Sequence, residues 1–119
     1  MNICITSSDR DLESEVDQTF GRARYFLFVD SETRETDVVE NTPGAHGAGV
    51  QAAQLLSERG ANVLLTGNVG PNAYQGLKAA GVRVYIGAKG TSKQALENYE
   101  AGDLLEATEP TGPGHGGGR

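Results

Sequence analysis

The sequence has little of what most metal and membrane sites are built from. Its single cysteine, Cys4, excludes an internal disulfide framework and a self-sufficient four-cysteine iron–sulfur or zinc site. No apolar run approaches the roughly 20 residues that cross a bilayer, and no signal-peptide pattern is present, so we expect a cytoplasmic protein. The formal net charge of −6 argues against broad binding to nucleic acid or to an anionic membrane.

Several familiar functional motifs are also absent. The alternating acidic residues between Asp9 and Asp17 lack the glycine and terminal glutamate of a calcium-binding EF-hand loop, so we expect a solvated loop. The turn at Gly67 lacks the lysine of a P-loop, and the glycines around Gly47 do not follow the dinucleotide-binding pattern. No nucleophile–base–acid set can be assembled, which leaves a small hydrolase as a third alternative only.

The hydrophobic pattern predicts one α/β domain with the element order β-β-β-α-β-α-β-α. The chain of 119 residues is long enough for a single core. Runs of branched and aromatic residues predict strands, and 3.6-residue periodicity that ends at glycines predicts helices. Thr91 and Gln94 have the spacing of a capping box. The predicted strands are 2–6, 24–30, 35–40, 63–65 and 82–87, and the predicted helices run to about residue 59, over 71–80 and over 91–102.

Connection lengths predict how these strands are arranged. Short strand–helix–strand crossovers are right-handed and place their strands parallel. With the first strand in the middle, we expect a five-stranded mixed sheet of order 3-2-1-4-5 in which only strand 2 is antiparallel. A short terminal segment through Leu105 is expected to dock on the domain, which spans residues 1–107. Residues 108–119, rich in glycine and proline, are expected to form a disordered tail.

This topology predicts that several turns meet at one edge of the sheet, which we call the carboxyl edge (residues 7–8, 20–23, 43–49, 67–70 and 87–90). Glycine turns at helix starts offer backbone N–H groups and positive helix-dipole ends to an anion. Arg22 and Lys89 add positive charge, and His46 is the candidate metal ligand. Each feature also has a structural explanation, as a tight turn, a surface charge or a capping residue. The candidate cofactor-binding residues are Ser7, Phe20, Gly21, Arg22, Gly47, Gly49, Gly67, Asn68, Gly70 and Lys89.

Three stretches carry a resemblance to a known family. They are Val16-Asp17-Gln18-Thr19-Phe20-Gly21-Arg22-Ala23, the turn over residues 41–49, and Leu65-Thr66-Gly67-Asn68-Val69-Gly70-Pro71-Asn72-Ala73. Together they resemble the dinitrogenase iron–molybdenum cofactor biosynthesis family, which includes the NifX-type carriers and the C-terminal domain of NifB. The resemblance covers residues 1–107 and implies a ribonuclease H-like fold. Members often have a histidine directly before the Phe-Gly pair, where this chain has Thr19.

The resemblance also implies a function. It implies binding or carrying of an iron–sulfur cluster or an iron–molybdenum cofactor precursor, without catalytic turnover, in concert with maturation proteins of nitrogenase or another metalloenzyme. Nuclease activity does not follow from the implied fold, because ribonuclease H chemistry needs a carboxylate on the first strand and residues 2–6 contain none. The alternative is a binding module for a small phosphorylated or nucleotide-like anion, without metal.

Overall fold

The computed structural model describes residues 1–41 and 48–109 of the chain. In these ranges it has a mixed β-sheet with helices on both faces, and no helix there is both long and apolar enough to cross a membrane. The elements are β1 (Asn2–Ser7), a 3-10 turn (Phe20–Arg22), β2 (Tyr25–Asp30), β3 (Thr36–Glu40), α1 (Ala48–Glu58), β4 (Val63–Leu65), α2 (Pro71–Ala79), β5 (Arg83–Ile86), α3 (Ser92–Glu100) and β6 (Leu105–Glu106).

The sheet has the order β3-β2-β1-β4-β5-β6. β1 is antiparallel to β2 and parallel to β4, β4 is parallel to β5, and β2 is antiparallel to β3. The predicted order 3-2-1-4-5 with a reversed second strand is therefore confirmed. As a result β1, β3, β4 and β5 all end at the carboxyl edge, where β2 begins.

The prediction of five strands is wrong, because a sixth strand covers the outer edge of β5. β6 pairs antiparallel with β5 through Tyr85–Glu106 and Ile86–Leu105. The next N–H, that of Ala107, donates to the backbone oxygen of Val84 at 2.8 Å. An uncovered β5 would leave backbone groups unpaired, and β6 satisfies them. With only two residues, β6 is too short to show the alternation by which strands are recognised.

The core consists of two layers, one on each face of the sheet. Alternate residues of β1 point to opposite faces, so Cys4 belongs to the layer under α1 and α2, whereas Ile3 and Ile5 belong to the layer under α3. All three side chains are 0 % exposed, so Cys4 is a buried core residue. Central strands read as unbroken apolar runs because both of their faces are covered.

Candidate functional site

The ends of β1 and β4 are covered by residues 17–23, which we call the strap. The hydroxyl of Thr6 donates to the backbone oxygen of Asp17 at 2.7 Å, and the N–H of Asp17 donates to the backbone oxygen of Thr6 at 2.9 Å. Thr6 Oγ1 also lies 2.9 Å from Thr66 Oγ1, at the end of the neighbouring parallel strand. All polar groups in this buried contact are paired, so the strap is fastened to the centre of the sheet.

The strap also holds the β4–α2 turn (residues 66–70). The N–H of Asn68 donates to the backbone oxygen of Gln18 at 2.8 Å, and the N–H of Phe20 donates to the backbone oxygen of Asn68 at 3.2 Å. Thr19 and Asn68 form the parallel bridge between these two hydrogen bonds. The strap therefore covers the carboxyl edge directly above the central strands. The start of α2 lies beside the strap, directly after the β4–α2 turn.

The N-terminus of α2 has no cap within the described part of the chain. Gly70 occupies the N-cap position with φ −76° and ψ 171°, Pro71 follows it, and no side chain of the described residues caps the helix. A Cβ on Gly70 would meet no described heavy atom within 4 Å. The first N–H groups of a helix have no intrahelical partner and lie at the positive end of its dipole. Such an end, without a cap and with space in front of it, can bind an anion.

The N-terminus of α3, at the same edge but on the other face, is closed by the chain itself. The predicted capping box is confirmed, with Gln94 N–H donating to Thr91 Oγ1 at 3.1 Å and the Gln94 side chain accepting from Thr91 N–H at 2.9 Å. The N–H groups of Ser92 and Lys93 donate to backbone oxygens of the loop after β1, at 2.8 Å each. Of these two helix starts, that of α2 is the one whose first N–H groups have no capping side chain among the described residues.

The β5–α3 turn (residues 87–90) likewise uses its first N–H groups internally. Gly87 N–H donates to the backbone oxygen of Gly67 at 3.0 Å, and Ala88 N–H donates to that of Thr66 at 3.1 Å. The side chain of Lys89 is exposed and lines a cavity of about 590 Å³ between this turn, α3 and the loop after α3. Lys89 thus lies at the predicted edge, but beside α3 rather than beside the start of α2.

Two arginines of the strap region have no ion-pair partner among the residues that the structure describes. Arg10, Arg34, Arg59 and Arg83 each lie within 3.7 Å of a carboxylate oxygen. Arg22 and Arg24 are exposed and have no such partner among the described residues. Arg22 is one of the predicted site residues, whereas Arg24 was missed. The sequence pattern that could have drawn attention to Arg24 is Arg22-Ala23-Arg24, in which two basic residues stand on either side of an apolar one. In the structure this Ala23 is 0 % exposed.

Three predicted site residues have structural roles of their own. Ser7 is 0 % exposed, and its hydroxyl donates to the backbone oxygen of Asp9 at 2.8 Å. Phe20 is 0 % exposed and packs on Phe26 with ring centroids 5.7 Å apart. A Cβ on Gly49 would lie 3.0 Å from the Cβ of Ala73, so this glycine lets α1 and α2 approach closely. Their roles in cofactor binding stay predictions.

Asn68 lies where the strap meets the β4–α2 turn, and Gly21 lies in the strap, where its backbone oxygen accepts from the Asn41 side chain at 3.3 Å. Both residues are half-buried. The Asn68 Oδ1 atom is buried and has no hydrogen-bond partner within the described part of the chain. A buried polar atom normally has a partner, and the Asn68 side-chain amide is the exception at this site. His46 and Gly47 lie outside the described residues.

The described residues do not form a coordination sphere for a metal ion. Within ranges 1–41 and 48–109, no group of three or more His, Cys, Asp or Glu side chains is placed to hold one. Burial raises the pKa of the Cys4 thiol well above its ordinary value, against a smaller opposite effect of the charge on Arg59. The thiol therefore stays protonated and is no ligand, and the described site offers N–H donors and cations instead.

Known proteins resemble this chain over most of its length. The apo form of the orange protein from Desulfovibrio gigas is 41 % identical in sequence to this chain. The match covers 93 % of this chain and 96 % of that protein, with a TM-score of 0.90. At 42 % identity, 94 % of it matches 97 % of a candidate NifB protein from Thermotoga, with a TM-score of 0.84. An uncharacterized protein of Methanocaldococcus jannaschii, MJ0580, is 38 % identical in an alignment 90 residues long that covers 71 % of this chain and 76 % of that protein.

The family-level comparison covers nearly the same residues as the fold described above. The model of the family described as dinitrogenase iron–molybdenum cofactor matches residues 1–102, which include the strap and the starts of α2 and α3. The chain belongs to the dinitrogenase iron–molybdenum cofactor family.

Proposed function

We propose that the chain is a non-catalytic carrier of an anionic metal–sulfur cargo, an iron–sulfur cluster or an iron–molybdenum cofactor precursor. The observation that carries the proposal is the N-terminus of α2, which no described side chain caps, at the same edge of the sheet as an exposed Arg22. In an acidic chain these groups are suited to attract and hold a compact anion. Membership of the family supports metal–sulfur cargo over other anions.

Each residue has a distinct part in this proposal. The N–H groups of Asn72 and Ala73, at the second and third positions of α2, donate to the sulfides of the cargo. The Asn68 side-chain amide can donate to the cargo through Nδ2, whereas its unpaired Oδ1 is an acceptor and would need a donor or a cation of the cargo. Arg22 balances charge, and Lys89 does so from the α3 side of the edge. His46 is the candidate ligand for iron that the sequence offers at this edge, and within the described residues no three His, Cys, Asp or Glu side chains are grouped to hold a metal ion.

The relatives support a binding role in a maturation pathway. The orange protein structure is of an apo form, which indicates that this relative also has a form with a bound group. The NifB-type relative supports a setting in cofactor assembly, in which metalloenzyme maturation proteins deliver or receive the cargo. We further propose a cytoplasmic location. The strand order with β2 reversed supports a ribonuclease H-like ancestry, with β6 as an addition.

A substitution at Gly70 tests the proposal without disturbing the fold. The N-cap backbone is extended, so the side chain of Gly70→Asp can accept hydrogen bonds from the first N–H groups of α2. Its carboxylate then occupies the place proposed for the cargo. Gly70→Ala is the matched control, since it adds a methyl group where no described atom lies within 4 Å.

The measurement is an anaerobic titration with a synthetic iron–sulfur cluster, followed by absorbance. We expect Gly70→Asp to weaken binding at least tenfold while its melting temperature stays equal or rises, and we expect Gly70→Ala to bind nearly as the wild type does. His46→Ala should also weaken binding. Equal affinity of wild type and Gly70→Asp would contradict the proposal. Binding of pyrophosphate but not of the cluster would favour the metal-free alternative.

A further inference from the structure

Gln18 contacts two turns that are distant from it in sequence. Its backbone oxygen accepts from Asn68 N–H at 2.8 Å. Its side-chain Nε2 donates to the backbone oxygen of Ala88 at 3.1 Å, across 70 positions of sequence. One residue of the strap therefore joins the β4–α2 turn to the β5–α3 turn, although its side chain is itself exposed.

Gly67 is the position that makes this contact possible. A Cβ there would lie 2.6 Å from the backbone oxygen of Gln18, and the side-chain oxygen of Gln18 would contact it as well. The backbone oxygen of Gly67 in turn accepts from Gly87 N–H at 3.0 Å. Strap, β4–α2 turn and β5–α3 turn thus hold one another in a closed set of contacts, and α2 begins four residues after Gly67.

We propose that Gln18 is a positioning residue, which fixes the β4–α2 turn and thereby the direction in which Asn68 and the first N–H groups of α2 face a bound anion. The inference rests on the proposed function. Gln18 acts through the turn and does not need to touch the cargo, since one N–H of its amide is used on the Ala88 oxygen. Hydrogen-bonding groups bind an anion more tightly when they are already fixed in the binding geometry. Here Gln18, which lies outside the β4–α2 turn, fixes that turn.

Two substitutions separate the hydrogen bond from the space that the side chain fills. Gln18→Ala removes both, whereas Gln18→Glu keeps the size but, when ionised, has no donor for the Ala88 oxygen. Because the side chain is exposed, both variants should fold, with melting temperatures close to that of the control Gln75→Ala, an exposed glutamine of α2. Each chain is examined by amide NMR without ligand and by anaerobic titration with the synthetic cluster.

We expect both variants to raise the exchange of the Asn68 and Gly87 amides and to weaken cluster binding, each about fivefold, as the loss of one hydrogen bond implies. In Gln18→Glu, lowering the pH through the ordinary glutamate range near 4.3 should return the amide shifts of the ligand-free chain toward those of the wild type. Gln75→Ala should change none of these quantities.

The results that overturn the inference are equally specific. Unchanged Asn68 and Gly87 amides would mean that Gln18 does not hold the turn. Altered amides with unchanged cluster affinity would mean that the hold has no effect on binding. Failure of the wild type to bind the cluster or pyrophosphate would instead overturn the proposed function, and the amide measurements would still decide whether Gln18 fixes the turn.

Discussion

The guanidinium of Arg83 and the carboxylate of Glu106 form a two-pronged ion pair that joins β5 to β6. Arg83 Nε donates to Glu106 Oε2 at 3.1 Å, and a terminal nitrogen donates to Oε1 at 2.7 Å. These hydrogen bonds lower the pKa of the Glu106 carboxyl, against a smaller opposite effect of desolvation. Both side chains remain partly exposed, at 63 % and 39 %, so the ion pair makes only a modest contribution to the stability of the fold.

The lowered pKa of Glu106 predicts that acid loosens β6. The contribution of the pair is fully present above the ordinary glutamate pKa of about 4.3 and is lost as the pH falls through the lower folded value. We expect the exchange protection of the Ala107 amide, which is bonded to Val84, to fall over this range. In Glu106→Gln the protection should be lower already at neutral pH and should change less with acid. Identical pH profiles for both chains would contradict the prediction.

The close approach of α1 and α2 predicts that Gly49→Ala is destabilising. The new methyl group would lie 3.0 Å from the Cβ of Ala73. Overpacking of this kind costs about 1–3 kcal/mol, of which better helix propensity returns up to about 1 kcal/mol. Urea unfolding should show a net loss of up to about 2 kcal/mol. Adding Ala73→Gly should recover part of it, and strict additivity of the two changes would argue against direct contact.

The capping box of α3 predicts a measurable loss in Thr91→Ala. The N–H of Gln94 then loses its acceptor, and substitutions of this type cost about 1 kcal/mol. Denaturant unfolding measures the change. Thr108→Ala, an exposed threonine beyond β6, is the control and should leave the free energy of unfolding within about 0.5 kcal/mol of the wild type. Equal effects of the two substitutions would show that the cap does not stabilise the helix.

Burial of Cys4 predicts a thiol that reacts only when the chain opens. The residue is 0 % exposed and its pKa is raised, so the thiolate is scarce and inaccessible. We expect alkylation of the native protein to be at least about a thousandfold slower than that of the denatured chain, because the reaction requires opening of the core. Labelling at the rate of an exposed thiol would place Cys4 at the surface.

The sheet could be predicted from sequence because its rules are local. Crossovers of limited length fix the handedness, and the glycines at 60 and 81 end their helices in the left-handed conformation, with φ of 72° and 80°. β6 could not be predicted, because a strand of two residues has no hydrophobic pattern of its own. These residues form a strand because they pair with the otherwise unpaired edge of β5.

The candidate site was predicted less completely, because its character depends on contacts between distant segments. Equal glycine turns precede α2 and α3, yet only the structure reveals that the loop after β1 closes the start of α3. That loop was expected to be solvated throughout, but Val16 is only 6 % exposed and packs in the core. Gly49 was predicted as a cofactor-binding residue, a role that stays a prediction, and the structure adds its close packing against Ala73. The amino-acid composition of a turn or loop cannot show which distant segment it contacts.

The central place of β1 has a consequence for synthesis on the ribosome. β1 is made before β4, but one of its two flanks pairs with β4 about 60 positions later, through Ile3–Val63 and Ile5–Leu65. The hairpin of β2 and β3 can form early. The side of β1 that pairs with β4 stays unpaired until β4 has been synthesised. A nascent chain that stalls before β4 would present an apolar, unpaired strand and would be prone to aggregate.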